Sequence, residues 1–189
     1  MTSTNGSLQF LLTEYQGLRS EILKRTDIQH QLISITLVAF GGLVTVGLQG
    51  SANALLAFPI LALFLSAAWS SSDIQIAQLG AYIRDQIEEN LVGPGLGWEH
   101  HITSEDISRL IGFRALIATR GLFWGSEVLA IGLYLITMSS DVSSIEGFWA
   151  AFSGVDVVLL VLALVAIVFT VVILRRQKPA EDLRRGNPE

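Results

Sequence analysis

Four stretches of this chain are built almost wholly from apolar residues: Leu32–Leu48, Ala52–Trp69, Gly121–Met138 and Val155–Leu174. A soluble helix or strand keeps one face wet and spaces its apolar residues accordingly, and these blocks show no such spacing. Each is long enough to cross about 30 Å of hydrocarbon as a helix. A membrane β-barrel needs apolar and polar residues in alternation, which the blocks lack. Four crossings also account for a hydrophobic share of 51% in a chain of only 189 residues, about one domain's length. The expected fold class is all-α, a membrane protein with four transmembrane helices in two hairpins.

The basic residues orient it. All twelve Lys and Arg fall into three groups. Arg19, Lys24 and Arg25 precede the first block, and Arg84, Arg109, Arg114 and Arg120 separate the second from the third. Arg175, Arg176, Lys178, Arg184 and Arg185 follow the fourth. The connections Gln49–Ser51 and Ser139–Gly154 contain none. Basic loops stay in the cytoplasm, so both termini are expected there, in a multi-pass protein of the plasma (inner) membrane. The first thirty residues are amphipathic and of mixed charge, unlike a cleavable signal peptide, so the first block is expected to act as its own insertion signal.

Helical periodicity extends beyond the membrane blocks. Leu11, Tyr15, Leu18 and Ile22 recur in steps of three and four, which marks one face of a helix in residues 1–31. No Pro or Gly interrupts Leu18–Phe40, so that helix is expected to run on into the first span, 32–48. After the second span, 52–69, residues Ile76, Leu79, Ile83 and Ile87 continue at helical spacing until a Gly/Pro turn at 93–97. Thr103–Asp106 has the hydroxyls and acids of a helix start leading toward the third span, 121–138. Residues 70–120 are thus expected to form helical extensions that bundle with the first helix in the cytoplasm. On the other side, 139–154 reads as a short acidic loop whose Phe148 and Trp149 suit interfacial anchors. The fourth span, 155–174, leads into a basic cytoplasmic tail at 175–189.

Glu127 is the residue most in need of a physical account. It lies seven positions past Arg120, about 10 Å deeper along a helix. An ionisable group at that depth costs several kcal/mol unless paired, protonated or hydrated. Arg120, Trp124 and Glu127 share one helical face, continued by Ile131 and Tyr134. Two readings stay open: a pore-lining or proton-accepting carboxylate, or a structural Glu kept neutral or paired toward Arg120 with Trp124 between. Asp156, at the outer end of the fourth span, is expected to be a solvated acid.

Small residues recur at helix-packing spacing: Gly121 with Gly125, Gly41 with Thr45, and Ala62 with Ser66 and Ser70. Such stripes let membrane helices approach closely, either inside one subunit or between subunits. Topology also sets Asp27, His30, Asp73 and Arg114 at the level of Arg120 near the cytoplasmic interface, as salt bridges or as a pore mouth.

Other chemistry finds little support. With no cysteine there are no disulfides or thiolate metal sites. Glu99-His100-His101 lacks a metal-ligand spacing, so no metal and no cofactor is expected. The Gly93, Gly95, Gly97 run lacks the strand and the Lys-Ser/Thr of a phosphate loop. A net charge of −5 argues against nucleic acid as a partner. No catalytic constellation presents itself, so an enzyme is not expected.

The stretches Glu14–Ile22, Leu79–Arg84 and Gly95–Glu99 resemble those of uncharacterised small multi-pass membrane proteins of bacteria. That resemblance implies a bacterial inner membrane and brings no catalytic or binding residue with it. The residues themselves lead to two functional expectations. One is a homo-oligomeric ion channel or pore controlled from the cytoplasm. The other is a non-conducting scaffold that recruits a cytoplasmic protein partner through its helical extensions.

Overall fold

The computed structural model describes residues 2–91, 105–140 and 154–175, with side chains at 8–89, 91, 118–139 and 154–174. Every described residue outside the turn at 49–52 is helical. Four helices are long and apolar enough to cross a membrane, as suits a multi-pass membrane protein. We name them α1 (Thr2–Leu48), α2 (Asn53–Tyr82), α3 (Glu105–Ser140) and α4 (Gly154–Arg175). A π-helical segment, Ile83–Glu88, and one further α-turn, Glu89–Leu91, prolong α2. The Gly/Pro turn at 93–97, Glu99-His100-His101, the loop with Phe148 and Trp149, and the tail from 176 lie outside the described residues.

The described residues divide into two units. One takes in the chain up to Gln31 and from Ser70 to Leu116; the other takes in Leu32–Trp69, the rest of α3 and α4. Helices α1, α2 and α3 each contribute to both units without a break. α1 is 47 residues long, about 70 Å.

In the membrane-length unit the core is assembled from all four helices. Leu55, Leu56, Tyr134 and Ala163 are fully buried together, with Val44, Ile131, Leu159 and Leu160 packed against them. A second cluster joins Phe58, Ala62 and Ala130 to Phe40 and Leu43. Phe40 and Phe58 meet edge to face with ring centroids 5.0 Å apart, a favoured aromatic geometry. Pro59 is also buried within α2; lacking an N–H, it leaves the carbonyl of Leu55 without its usual helical donor.

The link between α1 and α2 is set by two glycines. Gly50 has φ +111°, a conformation that side-chain-bearing residues rarely adopt. Around it the Ser51 N–H bonds back to the Val46 carbonyl at 3.4 Å, the closing bond of a Schellman cap. Gly47 acts differently. A methyl group on it would lie 2.5 Å from Cγ of Leu55 and 2.9 Å from its Cδ1, and Leu55 is itself fully buried. Only a bare backbone lets α1 and α2 come this close. Gly47→Ala should therefore destabilise the protein by about 1–3 kcal/mol through overpacking. Adding Leu55→Ala should recover part of that loss, and chemical unfolding in detergent of the two single variants and the double variant checks it. Strictly additive losses would contradict this account.

Candidate functional site

The first unit is held by polar bonds as well as apolar ones. Tyr82 donates to Glu14 at 2.9 Å. Arg25 bonds Gln75 and pairs with Glu21 at 2.7 Å. Ser72 donates to the Arg25 carbonyl at 3.4 Å. Arg19 lies over the Tyr15 ring, donates to the Tyr15 hydroxyl, and stands 3.9 Å from Glu88. These bonds fasten the N-terminal half of α1 to the prolonged α2. The π-helical segment is part of this region: the Glu89 N–H bonds five residues back to Arg84, and Ile83, Arg84, Ile87 and Glu88 are all buried. Arg84 is bidentate to Asp85, at 2.6 and 3.2 Å. The residues Leu11, Tyr15, Leu18 and Ile22 are partly buried, whereas Leu8 at the start of the same face and Phe10, Leu12 and Leu23 on other faces of α1 are exposed.

The second unit contains an acid in the middle of an apolar span. Charged residues are absent from the apolar parts of α1 and α2 altogether. Glu127, on α3, is fully buried. Its Oε1 accepts a hydrogen bond of 2.7 Å from the hydroxyl of Thr170 on α4, also fully buried. Its Oε2 is enclosed and meets no hydrogen-bond partner among the described residues. Two turns further along α3, Tyr134 is buried, and Asp156 at the start of α4 lies within electrostatic reach of it. Ser66 is buried as well, its hydroxyl turned to the carbonyl of Leu63.

Several expectations change at this point. Trp124 is 52% exposed, so it does not pack between Arg120 and Glu127. The face that joins the three in a helical projection is broad, and Trp124 falls at its rim while Glu127 points inward. The bond to Thr170 replaces the pairing toward Arg120 as the contact of Glu127. Asp156 is not a solvated acid: it is only 4% exposed. It stands in the first turn of α4, where the helix dipole favours a negative group.

The small-residue stripes also separate. Ala62, Ser66 and Ser70 are buried within the subunit. Gly41, Gly121 and Gly125 are exposed, and a methyl group on any of them would meet open space; the same holds for Gly132. Thr45 is exposed and turns its hydroxyl back to the Gly41 carbonyl. Of the interfacial charges, Asp73 is buried, Asp27 and His30 are exposed, and the side chain of Arg114 lies outside the described residues.

Two residues of this unit carry no motif. Thr170 is the only polar residue between Asp156 and Arg175, the same kind of interruption that singles out Glu127. Gly47 has no such signal, because its role depends on where Leu55 lands. Comparison with known proteins adds no further constraint: no family model, no curated protein and no solved structure matches this chain.

The Glu127–Thr170 bond joins α3 to α4 inside the subunit. Interhelical hydrogen bonds in membranes average about 0.6 kcal/mol and reach about 1.7. Thr170→Val, which keeps the shape and removes the donor, should destabilise the protein within that range, and Thr170→Ser should not. Unfolding curves in detergent micelles decide it, and a Thr170→Val as stable as the wild type beside a destabilised Thr170→Ser would show that the methyl group, not the hydroxyl, matters.

Proposed function

We propose that the chain is a multi-pass protein of a bacterial inner membrane, with cytoplasmic termini, that assembles with copies of itself into an ion channel controlled from the cytoplasmic side. In this reading its spans form two hairpins whose helices continue into a cytoplasmic bundle. The observation that carries the proposal is the outward face of α3. Gly121, Gly125 and the half-buried Gly132 recur there, and among the described residues a methyl group on any of them would meet no atom within 4 Å, the kind of surface on which membrane helices associate.

The packing inside one subunit supports the same view. Leu55, Leu56, Phe58, Phe123 and Tyr134 fill its centre, which leaves a conduction path to be sought between subunits. Control from the cytoplasm rests on continuity. α1, α2 and α3 run unbroken from one unit into the other, so a displacement at one end of a helix is felt at the other. The π-helical segment of Ile83–Glu88 is a local departure from α geometry of the kind that often marks functional positions.

A second reading has its own observation. Leu8, Phe10, Leu12 and Leu23 are exposed on a part of α1 that precedes the apolar span, where no lipid would cover them. They suit a protein contact, and a non-conducting scaffold recruiting a cytoplasmic partner would use them.

Ion flux through purified protein in liposomes separates the two, with wild type beside the double variant Gly121→Leu and Gly125→Leu. The channel reading expects flux from the wild type, and expects oligomer and flux to be lost together in the variant. Flux that persists in a monomeric variant would exclude a path between subunits. A wild-type oligomer that conducts nothing across a range of membrane voltages would leave the scaffold reading.

A further inference from the structure

We propose that Glu127 and Thr170 form an intramembrane proton-binding site, in which Glu127 holds the proton on Oε2 while Oε1 accepts the hydroxyl of Thr170. The site goes beyond the channel reading and does not depend on it.

Glu127 and Thr170 are both fully buried, and their bond of 2.7 Å uses one carboxyl oxygen. The second oxygen is enclosed by the subunit and meets no donor among the described residues. The neighbouring helices offer no countercharge. Residues 32–48 of α1 and 52–69 of α2 contain no Lys, Arg or His. α4 brings only Asp156 at its start, an acid, and Arg175 at its end, five residues and more than one turn past Thr170. On α3 itself Arg120 is the nearest cation in sequence, seven positions away, about 10 Å along the axis. Glu127 makes no ion pair with it; its bond goes to Thr170.

Two states of the side chain can be compared. An ionised carboxylate would place a full charge in an apolar interior with one hydrogen bond to offset it, and uncompensated buried charge is the most expensive group a fold can hold. A neutral acid would keep the Thr170 bond on its carbonyl oxygen and leave one O–H without an acceptor, the smaller cost of a single unpaired neutral donor. The neutral form wins by a wide margin. Binding makes one O–H bond on Oε2 and cancels one negative charge; no other bond is formed or broken. A larger cation does not fit the same donor set. Oxygen-coordinating metal ions take six or more ligands, and among the described residues the hydrogen bonding of Glu127 brings it one further oxygen, the hydroxyl of Thr170.

The proton also has a structural consequence. While it is bound, α3 and α4 are joined by a neutral contact. Its release would leave a charge between them that only water or a movement of the helix could accommodate. The site is therefore a place where the arrangement of the two helices is coupled to proton occupancy.

Infrared spectra of the full chain in lipid nanodiscs at neutral pH test this. The probe is the proton itself, exchanged for deuterium. The wild-type minus Glu127→Gln difference should contain a carboxylic-acid C=O band that responds to deuterium. ¹³C-glutamate labelling should shift it, which separates it from Asp156 without any substitution. In Thr170→Val the band should move to higher frequency, because its carbonyl loses a hydrogen bond. Carboxylate bands in place of the acid band would overturn the proposal. So would an acid band that vanishes on adding sodium or potassium ions, which would make the site one for an alkali cation. A band unmoved in Thr170→Val would overturn the pairing. Because the labelled wild type is read directly, failure of Glu127→Gln to fold does not spare the proposal. None of these spectra requires conduction, so they stand or fall apart from the channel assay.

Discussion

In hydrocarbon no water is at hand to bond a peptide N–H or C=O, and each such group left unpaired costs several kcal/mol. A membrane crossing therefore closes its own backbone ladder, and the helix is the form in which a single segment can do so. The architecture follows from that constraint. The four apolar segments are helical but for Ala52, and the break between α1 and α2 occurs at a turn where Gly50 and a Schellman cap take up the freed Val46 carbonyl. The exception within α2, Pro59, is held in a buried position. The helices also do not stop where the apolar residues do. α1 continues through Gln31 and α2 through Ser70 without a cap, because Leu18–Phe40 contains no Pro or Gly and Ser70–Leu91 contains no Pro.

With the backbone satisfied, side chains sort by what they can tolerate. Branched apolar residues such as Val38, Val128 and Val168 are exposed on the membrane-length helices, where lipid is as good a neighbour as protein. Polar ones are drawn inward. Thr36, Ser66, Glu127, Asp156 and Thr170 are all buried, the reverse of a soluble protein. The inversion explains why hydrophobicity alone says little about which face of these helices meets which. It also explains the different fates of the glycines. Gly47 is needed where two backbones meet inside the subunit, while Gly121 and Gly125 are exposed and a methyl group on either would meet open space among the described residues.

Much of this was legible in particular residues and some was not. Four apolar blocks imply four helices of membrane length, which the structure contains. Glu127 stands out in the chain because it interrupts such a block. What it bonds to was not legible, since Thr170 is 43 residues away and belongs to no motif. A helical projection set Trp124 beside Glu127, yet a helix face of that width includes both a buried centre and an exposed rim. Asp156 read as a solvated acid because it sits at the end of a block, and position along a helix does not say which way a side chain turns. The π-helical segment left no mark in the periodicity of Ile76, Leu79, Ile83 and Ile87, which suits an α-helix as well.

The sequence by itself determined the class of structure. The length and purity of its apolar blocks admit only helices, and a lone acid within one of them announces a site, because both follow from local transfer free energies. The tertiary structure alone decided the partners. Whether a glycine meets Leu55 or open space, and whether a carboxyl group finds a hydroxyl or a guanidinium, depends on the rotation of each helix about its axis. Lipid rewards no rotation over another, so only packing against the other helices sets it.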